Sequence, residues 1–507
     1  MSGAAGTAGG DDLPILLTEA EGADELARLG LVDRLRHHPR LRLATGVDAL
    51  RAARFLAVSG MAEDLMEVAR LSRRAHDDGI DGAGVVHAEA VDKIALYQGR
   101  AQLYGTVMVE HQGDIVQPPV DPTIDDAERV ALGVPTLAEL RRRMSELSRQ
   151  LARERATETG ALPRGQRWCR VWTDPDPDEL RARREAEGAS AWADGGILTF
   201  VAESDVPVAV TPVFPIPSWE VGEGLHALSV RVERLDEAVI TYTFTPLDGS
   251  ANLSVSRGSH DGRFRGAAAP PELPSNDPLV GSTYDHAVES AALGGPRTVT
   301  VYRPPDHTLG EDVPVVYATD GNMFAPYARR LDAAIEAGAC PRVVVVAAHA
   351  APADRIRGNQ RALEYLLGYD DRRFDSHQRF FVDELARWAE DELGVPTERH
   401  RRAVFGCSDG GGHALAVARL HPQRFGHVFA FSTGTPPEPT TRWDAETHPM
   451  VHLCAGTLED GFFQATGAWA GLLHLHRAPH HFTERVSGHD LIQWCEELPA
   501  ALDRAWG

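Results

Sequence analysis

One short pattern in the sequence has the residue types that covalent catalysis requires. Residues 406–410 read GCSDG, which has the form G-x-S-x-G. An apolar segment, 403–405, runs directly into the pattern, and a helical pattern over 411–420 follows it. A sharp strand–turn–helix of this kind exposes a serine hydroxyl, and glycines are needed because a neighbouring Cβ would clash. The setting predicts Ser408 as a nucleophile, with a structural serine in a glycine turn as the alternative.

A serine hydroxyl becomes a useful nucleophile only beside a general base that an acid orients. His489 follows a predicted strand at 481–486, which favours it as the base over an ordinary surface histidine. The predicted strand at 451–455 is followed by two adjacent carboxylates, of which we prefer Glu459 as the acid and keep Asp460 as the alternative. The order serine, acid, histidine is the one expected for this type of fold.

A tetrahedral oxyanion needs two backbone N–H donors, one of them from the residue after the nucleophile. These donors are predicted to be Asp409 and the turn at 320–322, with Asn322 as the preferred residue. This chemistry needs no cofactor and no metal. The histidines between 474 and 481 are interpreted as a chance surface cluster, since they fall on a predicted helix end and strand start.

The elements around these residues divide the 507-residue chain into several predicted domains. Strand-like and helix-like segments alternate over the last 230 or so residues, which predicts a mostly parallel sheet with helices on both faces, an α/β arrangement. The predicted units are a flexible lead-in at 1–20, a mainly helical domain with a hairpin at 21–158, a β-sandwich at 165–266, a Pro-rich linker at 267–280 and the α/β domain at 281–507.

The two N-terminal domains are predicted from the periodicity of their apolar residues. Spacings of three and four residues indicate helices at 48–58, 61–76, 85–97 and 137–156, and a hairpin is expected around 111–114. Alternating or β-branched runs indicate strands at 197–202, 206–214, 227–235, 238–244 and 251–255.

The composition excludes several classes of protein. Hydrophobic residues make up 43% and charged residues 25% of the chain, as in ordinary globular proteins. A net charge of −23 argues against nucleic acid or an anionic membrane as a partner. Five scattered cysteines without a C-x-x-C pair predict reduced thiols, and the absence of a leader-like start predicts a cytoplasmic protein.

From about residue 298 onward the chain resembles the esterase-D and enterochelin-esterase group of α/β-hydrolases. The resemblance is carried by 297–304 (RTVTVYRP), 317–321 (YATDG), 361–365 (RALEY), the 406–410 pattern with the HP and FG pairs after it, 455–459 (AGTLE), and 488–490 with Trp494. It implies a triad of Ser408, Glu459 and His489. The sequence departs from the group at Asp409, where leucine or methionine is usual, so a charge is expected beside the oxyanion hole.

Weaker resemblances cover the rest of the chain. The predicted sandwich resembles the Ig-like N-terminal domain of cytoplasmic enterochelin esterases, which implies a cap over the active-site mouth. Residues 45–150 resemble bacterial domains of unknown function, which implies no activity. Asp92 and Asp126 lie in that segment, and helix caps and turn chemistry are the preferred explanation for both.

Members of the resembled group cleave esters of siderophores, sugars and small thiols. Six arginines between 354 and 379 favour an anionic ligand, although five acidic residues there equally fit a salt-bridged surface. The residues expected to contact substrate are Arg361, Tyr365 and Trp494. We therefore expect a serine hydrolase for a small-molecule ester, either a siderophore, ferric siderophores included, or a similar natural product. The alternatives are a general cytoplasmic carboxyl or acyl-sugar esterase, and a catalytically silent binding or scaffold module.

Overall fold

The computed structural model describes most of the chain, with gaps in the N-terminal half and one in the C-terminal half. The described residues are 13–22, 31–32, 34–59, 61–111, 114–118, 120–121, 123–155, 161–173, 175–204, 208–222, 224–246, 261–352 and 359–507.

The N-terminal region is mainly helical. Its described helices are α1 (Leu13–Gly22), α2 (Gly46–Leu56), α3 (Ala62–Asp77), α4 (Ala83–Tyr97), α5 (Asp126–Ala131) and α6 (Leu137–Arg155). Strands β1 (Val109–His111) and β2 (Asp114–Val116) pair antiparallel as the expected hairpin. The four predicted helices form as α2, α3, α4 and α6. The apolar residues of α2, α3 and α4 pack in one core with those of α1, whereas Leu140 of α6 packs against a second, smaller cluster with Leu132 and Val134.

Asp92 and Asp126 both organise local backbone. The carboxylate of Asp92 is fully buried and accepts hydrogen bonds from the N–H groups of Leu103, Tyr104 and Thr106 at 2.7–2.8 Å. Asp126 accepts one from the N–H of Leu137, the first residue of α6, at 2.8 Å. These contacts support turn and cap chemistry as the explanation for both residues.

The middle region contains two antiparallel sheets that enclose a common core. Its elements are β3 (Trp168–Arg170), α7 (Pro177–Glu187), β4 (Ala191–Asp194), β5 (Ile197–Glu203), β6 (Val208–Thr211), β7 (Phe214–Pro217), β8 (Trp219–Gly222), β9 (Leu225–Val232), β10 (Val239–Pro246) and β11 (Gly262–Arg265). One sheet has the order β3-β9-β5-β4 with β8 paired to β9, and the other has the order β11-β10-β6-β7. Phe200 and Leu228 from the first sheet meet Phe214 and Ile240 from the second, so this unit is a β-sandwich.

One predicted strand of this sandwich is wrong in its extent. The segment 206–214 is not a single strand, since β6 ends at Thr211 and β7 begins at Phe214. Pro212 occupies the turn between them, and a proline cannot donate to the hydrogen-bond ladder of a continuous strand. The predicted strand at 251–255 lies outside the described residues.

The C-terminal region contains one eight-stranded sheet. Its strands are β12 (Ser282–Val288), β13 (Arg297–Arg303), β14 (Val315–Ala318), β15 (Val344–Ala348), β16 (Arg402–Cys407), β17 (His427–Phe431), β18 (Met450–Gly456) and β19 (His480–Arg485). Its helices are α8 (Ala325–Glu336), α9 (Gln360–Tyr365), α10 (Asp371–Arg379), α11 (Leu385–Leu393), α12 (Asp409–Leu420), α13 (Phe462–Leu475) and α14 (Leu491–Trp506), and a π-helical turn (Phe380–Glu384) joins α10 to α11.

The sheet order is β12-β13-β15-β14-β16-β17-β18-β19, antiparallel at the β12 edge and parallel from β15 onward. Two separate apolar cores cover its faces, one around Phe380 and Trp443 and the other around Phe324 and Trp494. The expected parallel α/β arrangement therefore forms. The parallel strands β16, β18 and β19 all end on the same side of the sheet, and ligands bind on this side in open α/β folds. Within the described part of the chain, no helix is long and apolar enough to cross a bilayer.

Candidate active site

Ser408 occupies a strained turn between β16 and α12. Its backbone has φ 59° and ψ −127°, a region that residues with a Cβ rarely adopt. A Cβ on Gly406 would lie 2.0 Å from the carbonyl oxygen of Gly410, and one on Gly410 would lie 2.3 Å from Oγ1 of Thr319. Both glycines are therefore required by close packing, as the G-x-S-x-G pattern predicts.

His489 and Glu459 are in direct contact. Nδ1 of His489 lies 2.6 Å from Oε2 of Glu459, whose side chain is 1% exposed. A carboxylate accepts this hydrogen bond, so the proton lies on Nδ1 and Nε2 is left as an acceptor. Asp460, the alternative acid, is exposed. The contact therefore selects Glu459 over Asp460 as the partner of the imidazole.

The second carboxylate oxygen of Glu459 is held by groups that the sequence did not reveal. Oε1 accepts hydrogen bonds from Oγ of Ser432 at 2.6 Å, from Nε2 of Gln493 at 3.2 Å and from the N–H of Gly456. Ser432 follows β17 with φ 48° and also accepts from Nε1 of Trp494 at 2.7 Å. In the sequence, the one indication that Ser432 belongs to the site is its position directly after a central strand. These donors fix the plane of the carboxylate.

Two aromatic rings fix the imidazole of His489. Phe462 stacks on it with ring centroids 3.9 Å apart, and Trp494 meets it edge-on at 4.8 Å. Trp494 is 7% exposed and lines the cavity described next, so it lies where substrate contact is expected. Trp494 also contacts His489 and donates a hydrogen bond to Ser432, which indicates a part in holding the base as well.

Ser408 and His489 line the same cavity, which has a volume of about 510 Å³. This volume falls within the usual range for small-molecule sites. The lining is mainly apolar. It comes from β16 (Phe405), the turn before α8 (Met323 and Phe324), α8 (Pro326 and Tyr327) and α14 (Leu491, Ile492 and Trp494). Among the described residues, the sandwich contributes nothing to this lining, so the cap implied by the resemblance is not seen there.

Cys407 precedes the nucleophile and also lines the cavity. Its Sγ lies 3.2 Å from the hydroxyl of Tyr327. Burial raises the pKa of the Cys407 thiol well above its ordinary value. The thiol is therefore protonated near neutral pH and does not compete with Ser408 as a nucleophile.

Arg361 connects Asp320 to Asp409, which lies in the sharp turn around the nucleophile (residues 406–410, here called the elbow). Its guanidinium donates to both carboxylate oxygens of Asp320 at 2.6 and 2.8 Å, and its Nη1 donates to Oδ2 of Asp409 at 2.6 Å. Burial would lower the pKa of Arg361, but the hydrogen bonds and charge of Asp320, with the charge of Asp409, raise that pKa. The unusual Asp409 thus has a cationic partner, and Arg361, although it lines the cavity, is already shared by two carboxylates.

Tyr365 does not line the cavity. It is completely buried, and its hydroxyl accepts a hydrogen bond from the N–H of Asp320 at 3.3 Å. Its ring lies 5.1 Å from the guanidinium carbon of Arg361. The expected substrate contact of Tyr365 is therefore corrected: burial places the side chain beneath the site, where it supports Asp320 and Arg361.

The two predicted oxyanion donors lie on different elements. Asp409 is the first residue of α12, where backbone N–H groups point toward an anion. Asn322 lies in the short turn Gly321–Met323, between the cavity-lining residues Asp320 and Met323. The side-chain oxygen of Asn322 accepts from the N–H of Ala350 at 3.2 Å, so its expected contribution is the backbone N–H.

Removing Arg361 is expected to destabilise the elbow. In Arg361→Ala, the carboxylates of Asp320 and Asp409 face each other without a cation. We expect the free energy of unfolding to fall by about 2 kcal/mol, less than the loss of a fully buried pair, because the side chain is 25% exposed. Adding Asp409→Leu removes one of the two charges and recovers part of the loss. Urea unfolding of the single and double variants measures both effects, and an Arg361→Ala variant as stable as wild type would contradict this account.

Metal-ligating side chains are not grouped around this site. Among the described residues, no set of three or more His, Cys, Asp or Glu side chains is placed to hold a metal ion.

Comparison with known proteins gives a matching family model and similar folds. Residues 290–505 match the family model Esterase, described as a putative esterase. The ferric enterobactin esterase Fes from Salmonella typhimurium is similar in structure, with a TM-score of 0.51 and 18% identity over 64% of this chain and 98% of that chain. The enterobactin esterase Fes from Shigella flexneri, in the presence of 2,3-dihydroxy-N-benzoyl-serine, has a TM-score of 0.49 and 18% identity over 64% of this chain and 97% of that one.

A more distant match is the CE1 ferulic acid esterase from Anaeromyces mucronatus, with a TM-score of 0.36 and 15% identity over 44% of this chain and 90% of that one. No curated protein matches the chain significantly. At 18% identity, the likeness to the Salmonella protein bears on the fold, and the family model bears on the activity. Residues 290–505 therefore match the esterase family model in sequence, have a fold similar to that of the Salmonella enterobactin esterase, and form a carboxylic ester hydrolase domain.

Proposed function

We propose that the chain hydrolyses carboxylic esters through an acyl-enzyme on Ser408. In this mechanism His489 removes the proton from the Ser408 hydroxyl as the oxygen attacks the ester carbonyl. The tetrahedral intermediate collapses, and His489 returns the proton to the departing alcohol. Water then attacks the acyl-enzyme by the same route and releases the acid.

The observation that carries this proposal is the buried contact between His489 and Glu459 at the rim of a cavity that also contains Ser408. Glu459 holds the imidazole in the tautomer that leaves Nε2 as the base, and it stabilises the imidazolium that forms during attack. Asp409 and Asn322 are the proposed oxyanion donors, through their backbone N–H groups. Every group is on an element or turn at one edge of the sheet.

The acyl-enzyme can be tested by rapid mixing with p-nitrophenyl butyrate. If deacylation is slower than acylation, a burst of p-nitrophenol equal to the concentration of active enzyme precedes steady turnover. If deacylation is faster than acylation, no burst is seen. The acyl-enzyme is then detected by adding hydroxylamine and measuring the hydroxamate that forms from the trapped acyl group. Folded enzyme with neither turnover nor a trapped acyl group would overturn the proposal.

For the substrate, we propose a siderophore-type or similar natural-product ester, bound in its uncharged form. The apolar lining of the cavity favours an aromatic or alkyl acyl group. The charges around Ser408 are those of Arg361, Asp320 and Asp409, which together give one net negative charge. Arg330 also lines the cavity, but it pairs with Glu272 at 3.3 Å, and this ion pair adds no net charge. Arg361 is therefore not a free cation for an anionic ligand, because its guanidinium is already paired with Asp320 and Asp409.

This charge balance predicts a preference among matched esters. We expect kcat/KM to be at least about tenfold higher for an iron-free catechol ester than for its anionic ferric complex, because like charges repel near a partly buried site. We also expect the double variant Arg361→Ala/Asp409→Leu, which keeps one net negative charge there, to lower kcat/KM equally for neutral and anionic p-nitrophenyl esters. A selective loss on the anionic ester would instead assign substrate binding to Arg361.

A general carboxyl esterase is the second candidate, and the apolar lining of the cavity is the observation that favours it. A panel of p-nitrophenyl acetate, butyrate and octanoate beside the iron-free catechol ester separates the two. Values of kcat/KM for simple alkyl esters that exceed those for the catechol ester would select the general esterase.

A further inference from the structure

The β-sandwich contacts the two loops that carry Glu459 and His489. The side chains of Leu458 and Val486, which are 3% and 4% exposed, belong to the apolar core of the sandwich and pack there with Val213. Leu458 directly precedes the acid, and Val486 precedes the loop of the base. Each half of the acid–base pair is thus attached to the sandwich through a close neighbour in sequence.

Hydrogen bonds reinforce the attachment on the histidine side. The N–H of Val239, the first residue of β10, donates to the carbonyl oxygen of Val486, the residue after β19, at 2.9 Å. The hydroxyl of Thr241, also on β10, donates to Oδ2 of Asp490, and both residues are buried, at 1% and 3% exposure. Oδ1 of Asp490 caps α14 through the N–H of Ile492 at 2.7 Å. One carboxylate therefore connects the sandwich to the residue after His489 and to α14.

Packing around Gly488, the residue before His489, leaves no space for a side chain. A Cβ on Gly488 would lie 2.5 Å from Cγ2 of Val213, and its three nearest atoms all belong to Val213. The N–H of Leu458 donates to the carbonyl oxygen of Ser487 at 3.0 Å, so the two loops are also joined to each other. The sandwich therefore packs on one continuous unit that contains both Glu459 and His489.

We propose that the β-sandwich is a positioning element of the catalytic machinery. It holds the loops that carry Glu459 and His489 in fixed positions relative to each other. This inference rests on the proposed function, since the position of His489 matters for turnover only if His489 is the base. The described residues of the sandwich line no part of the cavity, so the expected effect is on kcat and not on KM. Displacements of about 1 Å in a catalytic group can cost about a hundredfold in rate.

The first test removes a single hydroxyl from β10. We expect Thr241→Val to lower kcat by about tenfold with KM within about twofold of wild type, and Thr241→Ser to restore kcat because it keeps the hydroxyl. Thr245→Val is the matched control: Thr245 lies on the same strand, and its buried hydroxyl bonds Thr211 at 2.7 Å inside the sandwich. A loss of kcat in Thr245→Val equal to that in Thr241→Val would overturn the proposal, because it would show general destabilisation.

The second test uses the contact between Gly488 and Val213. We expect Gly488→Ala to lower kcat, since the new methyl group pushes the histidine loop away from the sandwich. Val213→Ala in the same chain removes the opposing methyl groups and is expected to restore most of the lost kcat. Melting temperatures of all variants, measured in parallel, separate a change in position from a loss of fold. No rescue by Val213→Ala would overturn the proposal.

Different results would overturn the positioning role of the sandwich and the proposed ester hydrolysis. If wild type turns over and Ser408→Ala does not, but Thr241→Val and Gly488→Ala both retain wild-type kcat, then only the positioning role is overturned. If folded wild type shows no turnover and no acyl-enzyme, then the proposed function and the positioning role both fail.

Discussion

Ser408→Ala is expected to lower kcat for p-nitrophenyl butyrate by at least about 10⁴-fold while the chain stays folded. The hydroxyl oxygen is the proposed nucleophile, and no neighbouring group replaces it, because the thiol of Cys407 is buried and protonated. The remaining rate over the uncatalysed reaction would come from the oxyanion donors and from binding alone. Steady-state kinetics, with circular dichroism and a melting curve, measure the effect.

A matched control for this variant is Ser282→Ala, on the edge strand β12 far along the sheet from the elbow. It tests whether loss of any serine hydroxyl in the domain lowers the rate, and we expect wild-type kinetics from it. Turnover by Ser408→Ala within about tenfold of wild type would remove Ser408 from the mechanism.

Glu459→Gln is expected to lower kcat by about 10³ to 10⁴-fold, less than the loss in Ser408→Ala. The amide keeps the shape of the side chain, but its NH₂ group can force the imidazole into the wrong tautomer, and its neutral charge no longer stabilises the imidazolium. Ser432 and Gln493 still surround the side chain, so the geometry is preserved. The measurement is kcat and KM for the same ester, with a melting curve.

Asp460→Asn provides the matched control, since it removes the adjacent carboxylate by the same chemical change. Asp460 is exposed, and the imidazole contact belongs to Glu459. We therefore expect Asp460→Asn to keep kcat within about twofold of wild type. The reverse order, with a large loss in Asp460→Asn and a small one in Glu459→Gln, would assign the acid to Asp460.

The elements that position the site could be predicted because their signals are local. Continuous apolar runs bounded by turn residues indicate β16, β18 and β19, and the carboxyl ends of parallel strands meet at one edge of a sheet. Ser408, Glu459 and His489 each follow one of these strands. Strand β12 had no comparable signal, because it lies at the edge of the sheet and most of its residues are exposed. The break at Pro212 illustrates the opposite error, in which one turn residue divides an apolar run.

The contacts around the triad could not be predicted in the same way. Ser432 meets Glu459 across 27 residues of sequence, and Arg361 meets Asp409 across 48. The sequence spacing of neither pair indicates a contact, because each contact depends on how two separate elements pack together in the fold. From the sequence alone, Arg361 is therefore expected to contact the ligand, and the charge of Asp409 has no explanation. The structure pairs them.

That pairing bears on the catalytically silent alternative. The charge of Asp409 beside the oxyanion donors was the one feature that favoured a scaffold over an enzyme. The guanidinium of Arg361 binds the Asp409 carboxylate at 2.6 Å, so the charge is compensated where it arises. A silent domain would also have no need for the set of hydrogen bonds that fixes Glu459.

The most direct test of the central claim is covalent labelling of wild type with a fluorophosphonate, followed by intact mass and peptide mapping. The reagent phosphonylates a serine only where a base and oxyanion donors activate it. We expect one adduct per chain, mapped to Ser408, and none in Ser408→Ala. Folded wild type that stays unlabelled, or an adduct on another residue, would contradict the assignment of Ser408 as the nucleophile.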